Sequence, residues 1–425
     1  MKVTPLLTKK SLFIISAVFL IGITSYIFVS SNFRTIKIGI LHSLSGNLSF
    51  SEKPVVDAML MAIDEINASG GVLGRKLIPI VADGKSDDAT FAKEAERLIK
   101  EEKVAAIFGC WTSSSRKAIT PIVEKYNNLL IYPVSFEGME DSPYIMCTGA
   151  TQNQQIIPAA LWSFYNLGKR FFLVGSESIF SRLTTQILKD TLESVDAEIL
   201  GEHFLLVGSQ EVGPMLDAIL KAKPDVILNS LHGITNLAFF KELRKRGITP
   251  EKIPVMTISS VSEVEFAHIG SDAMAGDYVT ASYFQSIERE ENTIFVTNFK
   301  KKYGKDRVIS ESEEAGYYSV YLWAQTAQIA QTSRACHVRK YLNDRALNAP
   351  EGIIYSDFKY LNMWKMTYVG KLRSDGQFTI VWNSQKAIQP ILFPIFKSPQ
   401  EWKNLERDFY EQWGKQWTKV GPSKN

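Results

Sequence analysis

The sequence predicts an α/β protein built from two lobes of similar size. From Thr35 onward, short apolar runs alternate with amphipathic segments, which is typical of a parallel sheet wound right-handedly. The same alternation restarts after the polar stretch 149–155, which indicates a second α/β unit. A chain of 425 residues also exceeds what one hydrophobic core organises, so we expect two lobes with a cleft between them.

The first unit is predicted to alternate strands and helices along the chain. Val56, Met59 and Ile63 recur at helical spacing and form one apolar face, and Gly70-Gly71 stops that helix. The predicted strands cover 36–41, 77–82, 104–108 and 129–132, and the predicted helices cover 55–67 and 90–100, with a further amphipathic helix after the third strand.

The second unit repeats this order before the pattern becomes mixed. Predicted strands cover 171–175, 226–230 and 255–258, and predicted helices cover 182–192 and 234–246. Beyond Gly276 we expect an extended segment at 278–284 and helices at 292–303 and 313–331. Segments 363–369 and 377–382, separated by Ser374-Asp-Gly376, predict a two-stranded antiparallel element.

The first 31 residues stand apart as a targeting segment. Lys9 and Lys10 precede an apolar run, 12–29, that contains no charge. This pattern predicts either a cleaved signal peptide or an N-terminal membrane anchor, and in both cases the rest of the chain is exported. The absence of a cysteine directly after the run argues against a lipoprotein anchor.

Charge and cysteine usage exclude several classes of protein. Residues 1–31 carry three lysines and no acid, so the body has 45 basic and 45 acidic residues. A neutral body without a basic cluster argues against nucleic acid as a partner. The three cysteines have no metal-binding spacing; a Cys110–Cys147 disulfide is allowed, but buried free thiols are the favoured interpretation.

Polar residues follow two neighbouring predicted strands at the point where each strand ends. Trp111-Thr-Ser-Ser-Ser115 follows one strand, and Pro133-Val-Ser-Phe-Glu137 follows the next. Open α/β sheets bind small polar ligands at this edge, where helix N-terminal N–H groups are unsatisfied. We therefore predict a cradle for a carbonyl or carboxylate oxygen. The alternative is that Thr112 or Ser113 only caps the helix.

Motifs of catalysis are missing from the sequence. It contains no Gly-x-Ser-x-Gly elbow, Walker loop, Gly-x-Gly-x-x-Gly, His-x-x-x-His or Cys-x-x-Cys, and its five histidines are scattered. We therefore expect a binding protein rather than an enzyme, with no cofactor and no metal.

Short motifs spread over residues 36–396 carry a family resemblance. They are Gly39-Ile-Leu-His-Ser-Leu-Ser-Gly46, Gly109-Cys-Trp-Thr-Ser-Ser-Ser-Arg-Lys117, Tyr132-Pro-Val134, Glu137-Gly138, Thr148-Gly-Ala150, Asn153-Gln-Gln-Ile-Ile-Pro158, Arg170-Phe-Phe-Leu-Val-Gly-Ser176, Tyr283-Phe-Gln-Ser-Ile-Glu288, Tyr321-Leu-Trp-Ala324 and Asp375-Gly-Gln-Phe378. With these motifs the chain resembles the type I periplasmic binding proteins, specifically the urea and short-chain amide receptors of ABC importers.

The resemblance implies two doubly wound α/β lobes joined by a hinge that the chain crosses three times. We place the crossings near 149–155, 276–281 and 352–357. Lobe 1 then comprises 35–150 plus 279–353, and lobe 2 comprises 151–278 plus 354–425. Ligand binding closes the lobes about this hinge. The implied partners are a small ligand and the ABC permease subunits in the membrane.

The resemblance also implies which residues contact the ligand. They are Trp111, Ser113, Tyr132, Pro133, Val134, Ser135, Ser178, Phe180, Gly233 and Glu263. For urea, Ser113 and the helix N–H groups suit the carbonyl oxygen, while backbone carbonyls near Pro133 and the Glu263 carboxylate suit the N–H donors. Trp111 would form a flat apolar wall.

Two departures from the family pattern leave alternatives open. The chain has Glu177-Ser178 where an Asp-Tyr pair is usual, and Ser135-Phe136 where Gln or Pro followed by Tyr is usual. The alternatives are a branched-chain amino-acid receptor, a membrane-anchored ligand sensor of the same fold and an amide-hydrolysing enzyme.

Overall fold

The structure is a computed structural model, and it describes residues 35–258, 263–270 and 274–419. The predicted targeting segment 1–31 lies outside these ranges. Within them, no helix combines the length and the apolar character that crossing a membrane requires.

Fifteen named strands and twelve named α-helices make up the described ranges. The strands are β1 (Thr35–His42), β2 (Lys76–Asp83), β3 (Ile107–Gly109), β4 (Leu130–Tyr132), β5 (Ile145–Cys147), β6 (Arg170–Ser176), β7 (Glu198–Leu205), β8 (Val226–Ser230), β9 (Val255–Thr257), β10 (Tyr278–Ala281), β11 (Ala346–Ala349), β12 (Gly352–Ser356), β13 (Met363–Trp364), β14 (Tyr368–Leu372) and β15 (Phe378–Asn383). The helices are α1 (Ser49–Ala68), α2 (Asp88–Lys100), α3 (Ser113–Lys125), α4 (Ile156–Asn166), α5 (Ile179–Glu193), α6 (Gly213–Ala222), α7 (Gly233–Lys245), α8 (Glu263–Ile269), α9 (Glu290–Tyr303), α10 (Glu311–Ile329), α11 (Ala335–Val338) and α12 (Pro399–Gln412).

Two parallel sheets with the same strand order form the two lobes. The first is β2-β1-β3-β4-β5, and all of its pairs are parallel. The second contains β7-β6-β8-β9-β10 in the equivalent order, extended by the antiparallel strands β14 and β15. In both sheets the order reverses beside the first strand, which creates a crevice at the strand carboxyl ends. The predicted α/β class with doubly wound lobes is confirmed.

Each lobe has its own hydrophobic core because its sheet is covered on both faces. Along β6, Phe172 and Val174 belong to one buried cluster, while Phe171 and Leu173 belong to another. Successive side chains of a strand point to opposite faces, so a strand apolar at every position needs packing on both. This is why such strands were visible in the sequence as continuous apolar runs.

The segment 363–369 differs from its prediction as one continuous strand. Met363–Trp364 pairs with β12 in a small antiparallel sheet, β11-β12-β13, whereas β14 begins only at Tyr368 and pairs with β15. The Lys365 side chain is fully buried between these two short strands. The predicted turn at Ser374-Asp-Gly376 does connect β14 to β15.

The N-terminal half of α10 binds the three places where the chain passes between the two large sheets. Tyr318 donates its hydroxyl to the Thr148 carbonyl, after β5. The Ser282 N–H, after β10, donates to Glu311 over 2.9 Å. Near the third passage, the Glu351 N–H donates to Glu314 over 3.2 Å, and Lys365 pairs with Glu351 at 2.7 Å.

The passages lie slightly later in the chain than expected. Residues 276–281 include strand β10 of the seven-stranded sheet, so the chain leaves that sheet after Ala281. Residues 352–357 include strand β12, and the chain reaches the seven-stranded sheet only at β14. Both differences arise because strand pairing in β10 and β12 extends through residues that the family resemblance assigns to the hinge.

Glu313, in the first turn of α10, should make stability depend on pH. Burial, together with the nearby Glu265 carboxylate, raises its pKa from 4.5 to about 8, although Ser310 hydrogen bonds oppose the rise. The folded protein therefore holds a proton that the unfolded chain releases near its ordinary pKa. The resulting stabilisation is complete below pH 4.5 and is lost as the pH rises through 8.

We expect Glu313→Gln to remove this loss, because glutamine can still accept from the Ser310 N–H, which lies 2.8 Å from the carboxylate. Calorimetric melting at pH 5, 6.5 and 8 should show the variant gaining on the wild type by at most ~1.4 kcal/mol per pH unit. Glu290→Gln, an exposed change at the start of α9, is the control. If the stabilities of Glu313→Gln and the wild type changed with pH in the same way, the raised pKa of Glu313 would be contradicted.

Candidate functional site

A cavity of about 500 Å³ lies between the carboxyl ends of the two parallel sheets. Its lining comes from the segments after β1, β2, β3 and β4 on one side and after β6, β7 and β8 on the other. The two crevices created by the strand-order reversals therefore face each other, and a ligand between them would touch both lobes.

The segment after β3 forms the floor of the cavity on the first lobe. Thr112 is the N-cap of α3, and its side chain accepts from the Ser115 N–H at 3.0 Å. Trp111 precedes the cap, and its carbonyl accepts the buried Tyr132 hydroxyl at 2.8 Å. Of the two residues proposed as caps, Thr112 takes the role, and Ser113 is the first helical residue.

The Ser113 hydroxyl belongs to a buried ionic network behind the cavity wall. It donates to Glu137 over 2.5 Å and accepts from Arg116 over 3.2 Å. Arg116 also binds Glu137 at 3.2 Å and Glu140 at 3.1 Å, and its guanidinium stacks on Tyr132. Because the hydroxyl proton is already committed to Glu137, the Ser113 side chain holds the wall together, and the oxygen-binding role expected for it is not supported by this geometry.

Carboxylates line the opposite part of the first lobe. Glu52, in the first turn of α1, is fully buried and accepts from the Ser43 N–H at 2.7 Å and from His42 at 3.0 Å. Asp87 caps α2 by accepting from the Thr90 N–H. Burial and the neighbouring Asp87 raise the pKa of Asp88 to about 6, although Ser114 donates to it.

The second lobe contributes helix N-termini. Ser178 caps α5 and accepts from the Ser181 N–H at 3.4 Å, and Phe180 follows it along the wall. Gly233 begins α7 with φ +63°, and a Cβ there would approach Leu48 Cδ2 of the first lobe to 3.0 Å. The glycine therefore permits close approach of the lobes. Burial lowers the pKa of His232 to about 4, so its imidazole is neutral at pH 7.

The C-terminal segment is a part of the cavity that the sequence analysis did not anticipate. After α12, residues 415–418 line the cavity, and Thr418 forms a bridge with Ser178. The Trp417 carbonyl accepts the Ile179 N–H at 3.0 Å, so it occupies a donor at the start of α5. Lys117 of α3 pairs with Glu406 of α12 and lies 5.2 Å from the Trp417 ring. The segment thus touches both lobes.

The cavity brings together eight of the ten predicted contact residues: Trp111, Ser113, Tyr132, Val134, Ser135, Ser178, Phe180 and Gly233. Pro133 is not part of the lining. Glu263 is buried in α8, accepts the Gln285 N–H at 2.8 Å and is not part of the lining, whereas Glu265, two residues later, lines the cavity.

The residues that were missed had weak sequence signals. Glu52 and Asp88 look like ordinary first-turn acids of solvent-exposed helices, because their partners, His42 and Ser43 for Glu52 and Ser114 for Asp88, come from other segments of the first lobe. The C-terminal segment has one signal in its composition, since Trp402, Trp413 and Trp417 lie within the last 25 residues. All three cysteines are free thiols, and Cys110 and Cys147 are buried without pairing. No cluster suited to a metal ion occurs in the described part of the chain.

Comparisons with known proteins agree with this architecture. A family model, periplasmic binding protein domain, matches residues 36–399. A Leu/Ile/Val-binding protein homolog 7 from Brucella melitensis is 36% identical over 387 residues, which is 84% of this chain and 94% of that protein. A limonene hydroxylase from Geobacillus stearothermophilus is 32% identical over 120 residues, which is 28% of this chain and only 22% of that protein's length.

Solved structures with the same fold include two ligand complexes. A solute-binding protein of an ABC transporter from Rhodopseudomonas palustris, bound to 3,4-dihydroxybenzoic acid, superposes with a TM-score of 0.76 at 20% identity, over 84% of this chain and 98% of that one. A branched-chain amino-acid transporter substrate-binding protein from Streptococcus pneumoniae, bound to isoleucine, gives 0.73 at 20% identity, over 84% and 100%.

Ser113→Ala should reduce stability and leave ligand affinity nearly unchanged. Removal of the hydroxyl deprives buried Glu137 and Arg116 of a hydrogen-bonding partner, which costs ~1–3 kcal/mol. Calorimetric melting of the unliganded protein measures this cost, and titration with a ligand of the wild type measures the affinity. A weakened affinity with an unchanged melting temperature would instead show that the Ser113 hydroxyl binds the ligand.

Deletion of residues 415–425 should expose the Ile179 amide, which would lose its acceptor, the Trp417 carbonyl. We expect its hydrogen exchange, followed by mass spectrometry of a peptide spanning 177–182, to accelerate by roughly tenfold or more. Deletion of 420–425 alone keeps the acceptor and is the matched control. Equal protection in the two truncated proteins would show that the segment does not cover α5.

Proposed function

The chain belongs to the periplasmic binding protein family, and from this premise we propose that it is the exported substrate-binding component of an ABC importer. It captures a small polar ligand between its lobes and delivers it to permease subunits in the membrane. The observation that carries this proposal is the cavity between the carboxyl ends of two parallel sheets, lined by side chains of both lobes. A ligand held in this way stabilises the closed arrangement of the lobes.

The ligand that we propose is urea or a short-chain amide. Such a molecule presents one carbonyl oxygen and N–H donors, all of which need partners once buried. Main-chain N–H groups at the starts of α3 and α7 suit the oxygen. The carboxylates of Glu52, Asp88 and Glu265 suit the N–H donors, in the role first assigned to Glu263.

The hinge gives the proposal a mechanical basis. Short passages join lobe 1, proposed as 35–150 plus 279–353, to lobe 2, proposed as 151–278 plus 354–425, and strand pairing shifts the second passage to after Ala281 and the third to before β14. The hydrogen bonds of α10 to Thr148, Ser282 and Glu351 hold these passages together, so the lobes can rotate about a fixed axis.

A branched-chain amino-acid receptor is the second candidate, and the name of the Brucella relative favours it. Its ammonium group would suit the same carboxylates. Its carboxylate would need donors at the helix N-termini, and its aliphatic side chain would need an apolar wall such as Trp111 and Phe180.

A calorimetric titration of the purified body with urea, acetamide, formamide, leucine and valine tests the proposal. We expect saturable binding of urea or an amide with 1:1 stoichiometry and no release of ammonia. Binding of leucine without any response to urea would move the protein to the amino-acid receptors, and ammonia above background would make it an enzyme. The N-terminal mass of the native protein decides separately between a cleaved segment and a membrane tether.

A further inference from the structure

We infer that the cavity selects a small N–H-rich cation of the amidinium or guanidinium class over its neutral analogue and over carboxylates. The inference rests on the proposed function, because it takes the cavity between the lobes as the ligand site. Guanidinium has the planar shape of urea but carries a positive charge and no acceptor. The choice between them is therefore a question of the charges that surround the ligand.

The charged groups that line the cavity are predominantly acidic. Among the described lining residues, carboxylates come from Glu52, Asp87, Asp88 and Glu265, and Lys415 is the one cationic side chain. Lys415 and Asp87 are both exposed, so solvent screens their charges, and the less accessible Glu52, Asp88 and Glu265 dominate. A cleft lined by one sign of charge concentrates ligands of the opposite sign.

Glu52 supplies a second, independent observation. Its side chain is fully buried and lines the cavity, and one carboxylate oxygen is satisfied by Ser43 and His42. The other oxygen, Oε1, is buried without a hydrogen-bond partner in the described part of the chain. A buried carboxylate oxygen of this kind is costly unless a donor meets it, and a ligand N–H is the donor that the cavity admits.

The aromatic part of the lining suits the same class of ligand. Trp111 and Phe180 contribute ring surfaces from opposite lobes. A planar cation can stack on an aromatic ring while its N–H groups reach carboxylates at its edge. The site therefore offers aromatic rings to the face of a guanidinium-like ligand and carboxylates to its edge.

Among the described lining residues, a carboxylate ligand would meet no buried cationic side chain. Arg116, behind the wall, is committed to Glu137 and Glu140 and is fully buried. A benzoate or an amino-acid carboxylate would enter a cavity of its own sign, which disfavours binding. The aromatic acids in the solved structures are ligands of those proteins.

Titration of the full body with guanidinium chloride, acetamidinium chloride, urea, acetamide, leucine and benzoate tests the inference. We expect guanidinium to bind at least about tenfold more tightly than urea, with an affinity that falls as sodium chloride is raised. Glu52→Gln keeps an acceptor for the Ser43 N–H but removes the charge. It should weaken guanidinium binding about tenfold and weaken urea binding by a clearly smaller factor, because neutral urea can still donate to the glutamine oxygen.

Asp88→Asn is the second variant. It removes another carboxylate of the cavity, so the inference can still be tested if the Glu52 variant does not fold. Asp64→Asn is the matched control, since Asp64 lies on the same helix as Glu52 but is 67% exposed on the surface. It should leave both affinities unchanged.

The outcomes separate this inference from the proposed function. Urea binding as tight as guanidinium binding, or tighter, overturns the inference and leaves the proposed function standing. Guanidinium binding without urea binding supports the inference and removes urea as the ligand. Tighter binding of leucine or benzoate than of guanidinium overturns the inference, and absence of binding by all six compounds overturns both.

Discussion

The arrangement of the whole molecule depends on one buried polar network at the start of α10. Hydrogen bonds from the three passages between the lobes end on Glu311, Glu314 and Tyr318 of this helix. Lys365, which pairs with Glu351, provides the positive charge among these buried carboxylates. Burying several carboxylates around one lysine is expensive, and burial raises the pKa of Glu351 and of Glu314. Such a network tolerates few alternative geometries, so it fixes the position of the hinge between the two sheets.

From this fixed hinge the position of the site follows. Both sheets share one strand order and therefore carry a crevice at the same strand ends, and the hinge turns these crevices toward each other. The close approach of Gly233 to Leu48 shows how little space separates the lobes at the rim. The cavity is thus a consequence of two identical topologies facing across a short hinge, and it needs no specialised motif.

On the first lobe a buried ionic network makes the wall of the cavity rigid, and on the second lobe the C-terminal segment modifies the wall. Arg116, held by Glu137, Glu140 and Ser113, locks the start of α3 from behind, which keeps Trp111 in place. On the second lobe, the Trp417 carbonyl uses a helix N-terminal donor that would otherwise face the ligand. The C-terminal segment therefore reduces the number of main-chain N–H donors that face the ligand, and carboxylates are the dominant polar groups of the cavity.

The sequence by itself determined the α/β class, the strands that are apolar throughout and the polar strand ends after β3 and β4, because these depend on local periodicity and on chain order. Eight of the ten residues that the family resemblance implies as ligand contacts line the cavity, and their role in binding stays a prediction. Tertiary structure alone decided the rest. Ser113 lines the cavity but its hydroxyl binds Glu137, Glu265 lines the cavity while Glu263 accepts the Gln285 N–H, and Glu52 is a buried wall residue. Each of these differences depends on how a helix is rotated against an element that is distant in the sequence. Contacts such as Arg116 with Glu140 and Ser178 with Thr418 set this rotation. These contacts join residues that are far apart in the chain, so the sequence alone does not reveal them.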